Sequence, residues 1–200
     1  MTRTPGQAAA AQPAVYKSLG LNALLNQLEG QTGYSVLDLG PACGVNIAFW
    51  SQFGCKIFVE DLYRSVAPYL VKGTDEEPAE IPFAELLPFS EDVRFDVILA
   101  WDLFNYLHQK QLEALIAYLA RFCRPGTYLF ALLSVMQQIP SEPYLYRILD
   151  NERMVYESHS PGMRVSPRYQ PRDVNRLMAG FNVSSSYLLR HGVQEYVFTA

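Results

Sequence analysis

VLDLGPACGVNIAFW, residues 36–50, passes from an apolar run into a turn with two glycines and out into a segment of helical character. Val36 to Leu39 read as a buried strand carrying one acid, Asp38. Gly40 and Pro41 close it, since neither residue extends a ladder well. From about Val45 to Gln52 the apolar Ile47, Ala48 and Trp50 fit one face of a helix. A carboxylate at the end of an apolar strand, facing a glycine-containing turn, asks for a partner.

Working outward, Val15–Glu29 places Leu21, Leu24, Leu25 and Leu28 at helical spacing and ends before Gly30. CKIFVED, residues 55–61, reads as a second strand closing on two acids, and LYRSVAPYLVKG as a helix with Pro68 inside it that stops at Gly73. The acidic stretch TDEEPAEIPFAELLPFSED carries Pro78, Pro82 and Pro88, which leave room for a short third strand at most. RFDVILAW, ending at Asp102, is apolar enough for a strand covered on both faces. QKQLEALIAYLARFC predicts a helix with Leu112, Leu115, Ile116 and Leu119 on one face, stopped by RPG, and TYLFALLSV predicts another buried strand. Gln137–Tyr169 is polar and proline-containing, with few expected elements. A helix over Pro171–Met178 precedes NVSSSYLLR and QEYVFTA, close enough to pair antiparallel.

Alternating strands and helices with continuous apolar strands imply an α/β layer fold with a mainly parallel sheet, and the closing pair without a helix between implies an antiparallel strand near its edge. The 200 residues, half of them apolar, suffice for one core. The expected organisation is a flexible arm at 1–14 and a single domain at 15–200, with residues 137–169, which contain Tyr156 and His159, as a candidate lid that Tyr16 of the first helix could join. The formal charge of −4 and the scatter of the 16 Lys and Arg disfavour nucleic acid as a partner. Apolar runs fall short of the ~20 residues of a bilayer crossing, and the first residues lack a secretory stretch, so a soluble cytoplasmic protein is expected. Three cysteines without CxxC spacing and three unpaired histidines suggest no disulfide framework and no metal site.

In such sheets ligands lie beyond the C-terminal ends of the strands. Gly40 and Gly44 fall there and allow close backbone approach. Asp38 can accept hydrogen bonds, and Asp61 or Glu60, at the end of the next strand, can take both hydroxyls of a ribose. A nucleoside-containing cofactor fits this pattern; a turn that merely joins strand to helix is the plainer alternative.

VLDLGPACG, IFVEDL, FDVILAWDLFNYLH and RPGTYLFAL, in that order, resemble the successive motifs of class I S-adenosylmethionine-dependent methyltransferases. The resemblance runs from about Tyr34 to the C-terminus and implies a Rossmann-like three-layer fold with a mainly parallel seven-stranded sheet and an antiparallel C-terminal strand. It also implies S-adenosylmethionine as cofactor, with Asp38, Gly40, Pro41, Ala42 and Gly44 around its methionine portion and ribose, Asp61 on the ribose hydroxyls and Leu62 against the adenine. Trp101 and Asp102 would line its methionine end. Ala42 departs from the family's usual glycine, and Glu85 is the candidate for an adenine-contacting acid.

The resemblance also narrows the acceptor. DLFNYL lacks the two prolines of the [DN]PP[YF] motif shared by enzymes that methylate exocyclic amines of bases or glutamine amides, and LLSVMQQ lacks the further Asp and Asn ligands of the divalent-metal O-methyltransferases. A small molecule or a peptide side chain, methylated without metal, is the expected acceptor. His108 and Tyr106 follow the fourth strand as candidate catalytic residues, His108 because imidazole exchanges protons near neutral pH, although a polar residue starting a helix explains it equally. Asn105 would orient an acceptor or cap a helix. Two other readings stay open: a cofactor- or partner-binding protein of the same fold without turnover, and a nicotinamide-dependent oxidoreductase, which GPACGV disfavours for want of GxGxxG spacing.

Overall fold

Five consecutive buried residues, Val97–Trp101, form the strand that their apolar run requires: with no polar side chain to leave on one face, both faces must be covered. The computed structural model describes residues 14–30, 32–72 and 77–200. The expected arm at 1–14 lies outside the described residues except for Ala14, and so does the helix stop at Gly73. The described elements begin with β1 (Ala14–Lys17), α1 (Leu19–Gln27), β2 (Ser35–Asp38), α2 (Gly44–Ser51), β3 (Lys56–Val59), α3 (Leu62–Leu70) and α4 (Phe83–Leu86). β4 (Val97–Trp101) is followed by a 3₁₀ turn at Leu103–Tyr106, α5 (Gln109–Ala120) and β5 (Tyr128–Ser134). Then come β6 (Gln138–Pro140), β7 (Leu145–Ile148), β8 (Arg153–Glu157), β9 (Met163–Val165), α6 (Pro171–Leu177), β10 (Asn182–Leu188) and β11 (Val193–Thr199).

The principal sheet has six strands in the order β10-β11-β5-β4-β2-β3. β5, β4, β2 and β3 run parallel, and β11 lies antiparallel between β5 and β10. Among the described residues no seventh strand joins it. The stretch expected to supply a third strand holds the short α4 instead, flanked by Pro78, Pro82 and Pro88, and a proline has no N–H to give a ladder. β3 is therefore the edge.

Two further expectations are corrected. The helix expected from Val15 to Glu29 is confined to α1, because β1 pairs antiparallel with β8, Val15 opposite Val155. Val15 and Tyr16 suit a strand, and the Ser18 hydroxyl accepts the Leu21 amide at 3.0 Å, starting the helix only there. Tyr16 thus sits on a strand. Residues 137–169 are also more regular than expected: β1, β8 and β7 form a second, antiparallel sheet, and β6 pairs with β9.

The period of two along the strands divides the core into two faces. Leu37, Ile98, Leu129 and Phe198 pack with α3, α5 and α6, whereas Val36, Val97, Leu99, Phe130 and Val197 pack with α1, α2 and the second sheet. Glu195 is the acid buried deepest within this frame, at 0% exposure. The Glu195 carboxylate, on β11, accepts the Ser18 hydroxyl at 2.5 Å and the Gly20 amide at 2.7 Å, answering two donors at the start of α1. A Cβ on Gly20 would stand 2.9 Å from both Glu195 Cβ and Phe130, so helix and strand touch through the missing side chain.

Candidate active site

Asp38, the last residue of β2, is 3% exposed. Its Oδ1 accepts the Gly40 amide at 2.9 Å and the Trp101 indole N–H at 2.6 Å. Burial pushes the carboxyl up to about 6 against the pull of these two donors. The tight turn thus exists to bring one acid, one backbone amide and one indole together. A Cβ on Gly40 would lie 2.9 Å from Trp101 Cδ1; glycine is needed here for close approach. Trp101 itself has φ of 49°, the left-handed region that bulky residues avoid. Its indole stacks on Tyr146, with centroids 5.4 Å apart and planes 5° apart, so the hydrogen bond and the stack together hold a strained backbone. The β4–β5 register also slips between Leu99 and Trp101, releasing the strand end towards the turn.

Beyond the C-terminal ends of β2, β3 and β4 lies a cavity of 450 Å³, within the ~300–1,000 Å³ range of small-molecule sites. Gly40, Pro41 and Ala42 form one part of its wall, Asp61, Tyr63 and Arg64 another, and Trp101 and Asp102 a third; Glu142, Tyr144, Tyr146 and His159 come from the region of the second sheet. Asp61 caps α3, its Oδ1 accepting the Arg64 amide at 3.4 Å. Asp102 is 5% exposed; its Oδ2 accepts the Tyr144 amide at 3.1 Å, while its buried Oδ1 has no hydrogen-bond partner. Burial pushes this carboxyl up to about 7. An orphaned carboxylate oxygen beside a cavity is a binding feature, because burying one unpartnered is costly.

Residues 13–184 match a family model described as a methyltransferase domain. The chain belongs to this methyltransferase family. Among solved structures, the methyltransferase is similar to the CcbJ methyltransferase from Streptomyces caelestis, with 14% identity over 90% of this chain and 94% of that one and a TM-score of 0.50. It is also similar to the glycopeptide N-methyltransferase MtfA complexed with S-adenosyl-L-methionine, with 16% identity over 100% and 99% of the two chains and a TM-score of 0.49. At 14% identity the likeness to CcbJ concerns the fold alone, an α/β methyltransferase fold with a mixed central sheet. No curated protein matches the sequence.

Of the residues read from the sequence of the methyltransferase, Asp61, Gly40, Pro41, Ala42, Trp101 and Asp102 meet on the cavity, and Asp38 stands directly behind its wall. Ala42 is free of strain, since its φ is not positive; the missing glycine costs nothing in backbone conformation. Three of the expected positions do not line the cavity. Leu62 is 1% exposed in the core with Leu37 and Leu39, because it shares the inner face of α3 with Val66 and leaves Tyr63, Arg64 and Ala67 to the cavity. Gly44 opens α2 with nothing within 4 Å of an added Cβ and does not line the cavity. His108 caps α5, its Nδ1 accepting the Lys110 amide at 3.4 Å, and faces a separate cleft with Lys72 and Arg164.

Tyr106 likewise misses the large cavity. Its hydroxyl donates to the Glu142 carbonyl at 2.8 Å, and burial pushes its pKa well above the usual tyrosine range. Asn105 is a staple between β4 and β5, donating to the Asp102 and Leu132 carbonyls and accepting the Ser134 amide, each at 2.8 Å. Glu85 lies exposed on α4, away from the cavity. The sequence reading missed Tyr144 and Tyr146, although their alternation with Leu145 and Arg147 carried a strand signal. Among the described residues no three His, Cys, Asp or Glu side chains gather as metal ligands, and no helix is long and apolar enough to cross a membrane.

The raised carboxyls make stability depend on pH. Between about pH 4 and pH 7 folded Asp102 holds a proton that the unfolded chain has released, so the folded state binds more protons and stability falls as pH rises through that window. Asp102→Asn removes this contribution. The unfolding free energy of the variant relative to the parent should therefore climb between pH 5 and pH 8, by on the order of 2–3 kcal/mol. A difference that is flat with pH would show Asp102 to be solvated.

Proposed function

We propose that this methyltransferase binds S-adenosylmethionine in the 450 Å³ cavity and methylates a small molecule or peptide side chain without a metal. The observation that carries the reading is the spread of the two cavity acids: Asp61 follows β3 and Asp102 follows β4, with β2 between them, so the acids stand roughly 10 Å apart at two strand spacings. That span suits a ligand lying across the strand ends, its ribose hydroxyls on Asp61 and its methionine end towards Trp101 and Asp102. Gly40 lets the turn approach it closely, and Asp38 fixes the turn by holding the Gly40 amide and the Trp101 indole.

When bound, the cofactor supplies an electrophilic methyl on a positively charged sulfur, already activated for in-line displacement. The protein's share is then to orient the acceptor, exclude water and receive a proton where the acceptor has one to lose. Tyr144 and Tyr146, carried by residues 142–146, close part of the cavity wall, which supports the lid role for this segment.

Calorimetric titration with S-adenosylhomocysteine should give a dissociation constant in the micromolar range. Asp61→Asn keeps a side chain able to cap α3 but loses a carboxylate that can accept from both ribose hydroxyls, and should raise that constant about tenfold, about 1.4 kcal/mol. Titration with NADH should show no heat, and EDTA should leave turnover unchanged. Failure of the folded protein to bind either S-adenosylmethionine or S-adenosylhomocysteine would sink the proposal; binding without transfer to any acceptor class would favour a protein without turnover.

A further inference from the structure

Asp102 also lines a second chamber, of 100 Å³, about three times the ~30 Å³ share of a water in the liquid. Around it stand Tyr16, Tyr106, Tyr144, Tyr146, Tyr156 and His191. All of these rings but Tyr106 form one connected cluster: Tyr144 meets Tyr156 at 5.0 Å and Tyr146 at 6.1 Å, Tyr16 meets Tyr156 at 5.5 Å and His191 at 5.1 Å, and Tyr156 stacks on His191 at 5.5 Å. Among the described residues neither Lys nor Arg lines this chamber. A buried carboxylate with one oxygen unpartnered, set among tyrosine rings and met by neither Lys nor Arg among the described residues, suits a positively charged ligand. Glu195, which also bears on Tyr16, is already satisfied by Ser18 and Gly20.

We propose that the chamber receives the nitrogen of the methyl acceptor, and that the acceptor is a small alkyl amine, bound as its ammonium ion by Asp102 and by the tyrosine rings that line the chamber, Tyr156 among them. This rests on the cofactor reading above and names the acceptor class for it. An ammonium ion gains from aromatic quadrupoles and from a desolvated carboxylate, and a chamber of this size admits a headgroup of a few heavy atoms. An alcohol of equal shape would leave Asp102 without a counter-ion. Met136, Met163 and His191, lining residues that are exposed, mark the side by which the amine's remainder reaches solvent.

Asp102, Tyr144 and Tyr146 border both cavities, so the amine nitrogen beside Asp102 faces the methionine end of the cofactor cavity. The ammonium gives one proton to Asp102. Its freed nitrogen lone pair then forms the bond to the methyl carbon while that carbon's bond to sulfur breaks with its electron pair going to sulfur. The products are a thioether and an N-methylated ammonium, and the proton on Asp102 passes to water. Burial pushes Tyr16 and Tyr146 well above the usual tyrosine value, so these phenols stay neutral and the carboxylate is the group that takes the proton.

The probe is tetramethylammonium, which cannot be methylated, against tert-butanol, its neutral counterpart in shape, each titrated with and without saturating S-adenosylhomocysteine. Tetramethylammonium should bind at least tenfold more tightly than tert-butanol. Tyr156→Leu, which touches only the aromatic chamber, should lose that preference while S-adenosylhomocysteine binds as before, and Tyr156→Phe should restore it; Asp102→Asn should abolish it. With labelled S-adenosylmethionine, methyl groups should appear on the nitrogen of short alkyl amines and not on matched alcohols. If S-adenosylhomocysteine binds and the cation shows no preference, the amine proposal falls and the methyltransferase reading stands. If S-adenosylhomocysteine does not bind, the cofactor reading falls and takes the acceptor assignment with it.

Discussion

Gly40→Ala should weaken S-adenosylhomocysteine binding by more than tenfold, whereas Gly44→Ala should change it by less than twofold. The two glycines belong to one turn and differ in what surrounds them. A methyl on Gly40 would stand 2.9 Å from Trp101 Cδ1, 3.0 Å from its Nε1 and 3.2 Å from Asp38 Oδ1, and none of these atoms is free to retreat. The indole is hydrogen-bonded to Asp38, stacked on Tyr146 and carried on a backbone already at φ 49°. Either the turn moves away from the cavity or Trp101 leaves its place, at a cost of about 1–3 kcal/mol for overpacking. Gly44 faces open space on the first turn of α2, where alanine should raise stability by up to about 1 kcal/mol. Calorimetry with both variants separates them; equal losses would mean that α2 itself contacts the cofactor.

The second large effect is expected at Asn46, a polar residue on the buried face of α2 and 3% exposed. Its amide donates to the Tyr146 carbonyl at 3.0 Å and accepts the Ile148 amide at 2.9 Å, so it occupies the free edge of β7 as a neighbouring strand would. Asn46→Ala leaves two buried backbone groups without partners, about 1–3 kcal/mol each. The melting temperature should drop by roughly 6–12 °C, and the Ile148 amide should lose hydrogen-exchange protection ahead of the central strands. Because β7 carries Tyr146, cofactor binding should weaken with it. A shift under about 2 °C would mean that β7 is held by packing alone.

The parallel strands were legible because their chemistry is local. Val97–Trp101 and Tyr128–Ser134 are apolar without a break, and α5 shows its period on its own. The same holds for the acids: Asp38, Asp61 and Asp102 follow apolar strands, and strand ends in a parallel sheet fall on one rim. What the sequence hid depends on partners far along the chain. Residues 137–169 become strands by pairing among themselves and with β1, and Val15 and Tyr16 leave a helical pattern because β8 offers them a ladder. Leu62 turns away from the cavity for a different reason: adjacent positions on α3 point 100° apart, so a motif one residue long cannot say which side chain faces the cavity. His108 was drawn to the site by its chemistry, and a backbone amide already claims its ring nitrogen.

The Glu195 carboxylate also has a bearing on the order in which the fold is completed during synthesis. Ser18 and Glu195 are 177 residues apart in the chain, and the donors that start α1 meet their acceptor only once β11 has been made. Until then a nascent chain lacks the β11 part of the surface that covers Leu21, Leu24, Leu25 and Leu28, a non-local closure of the kind that slows folding.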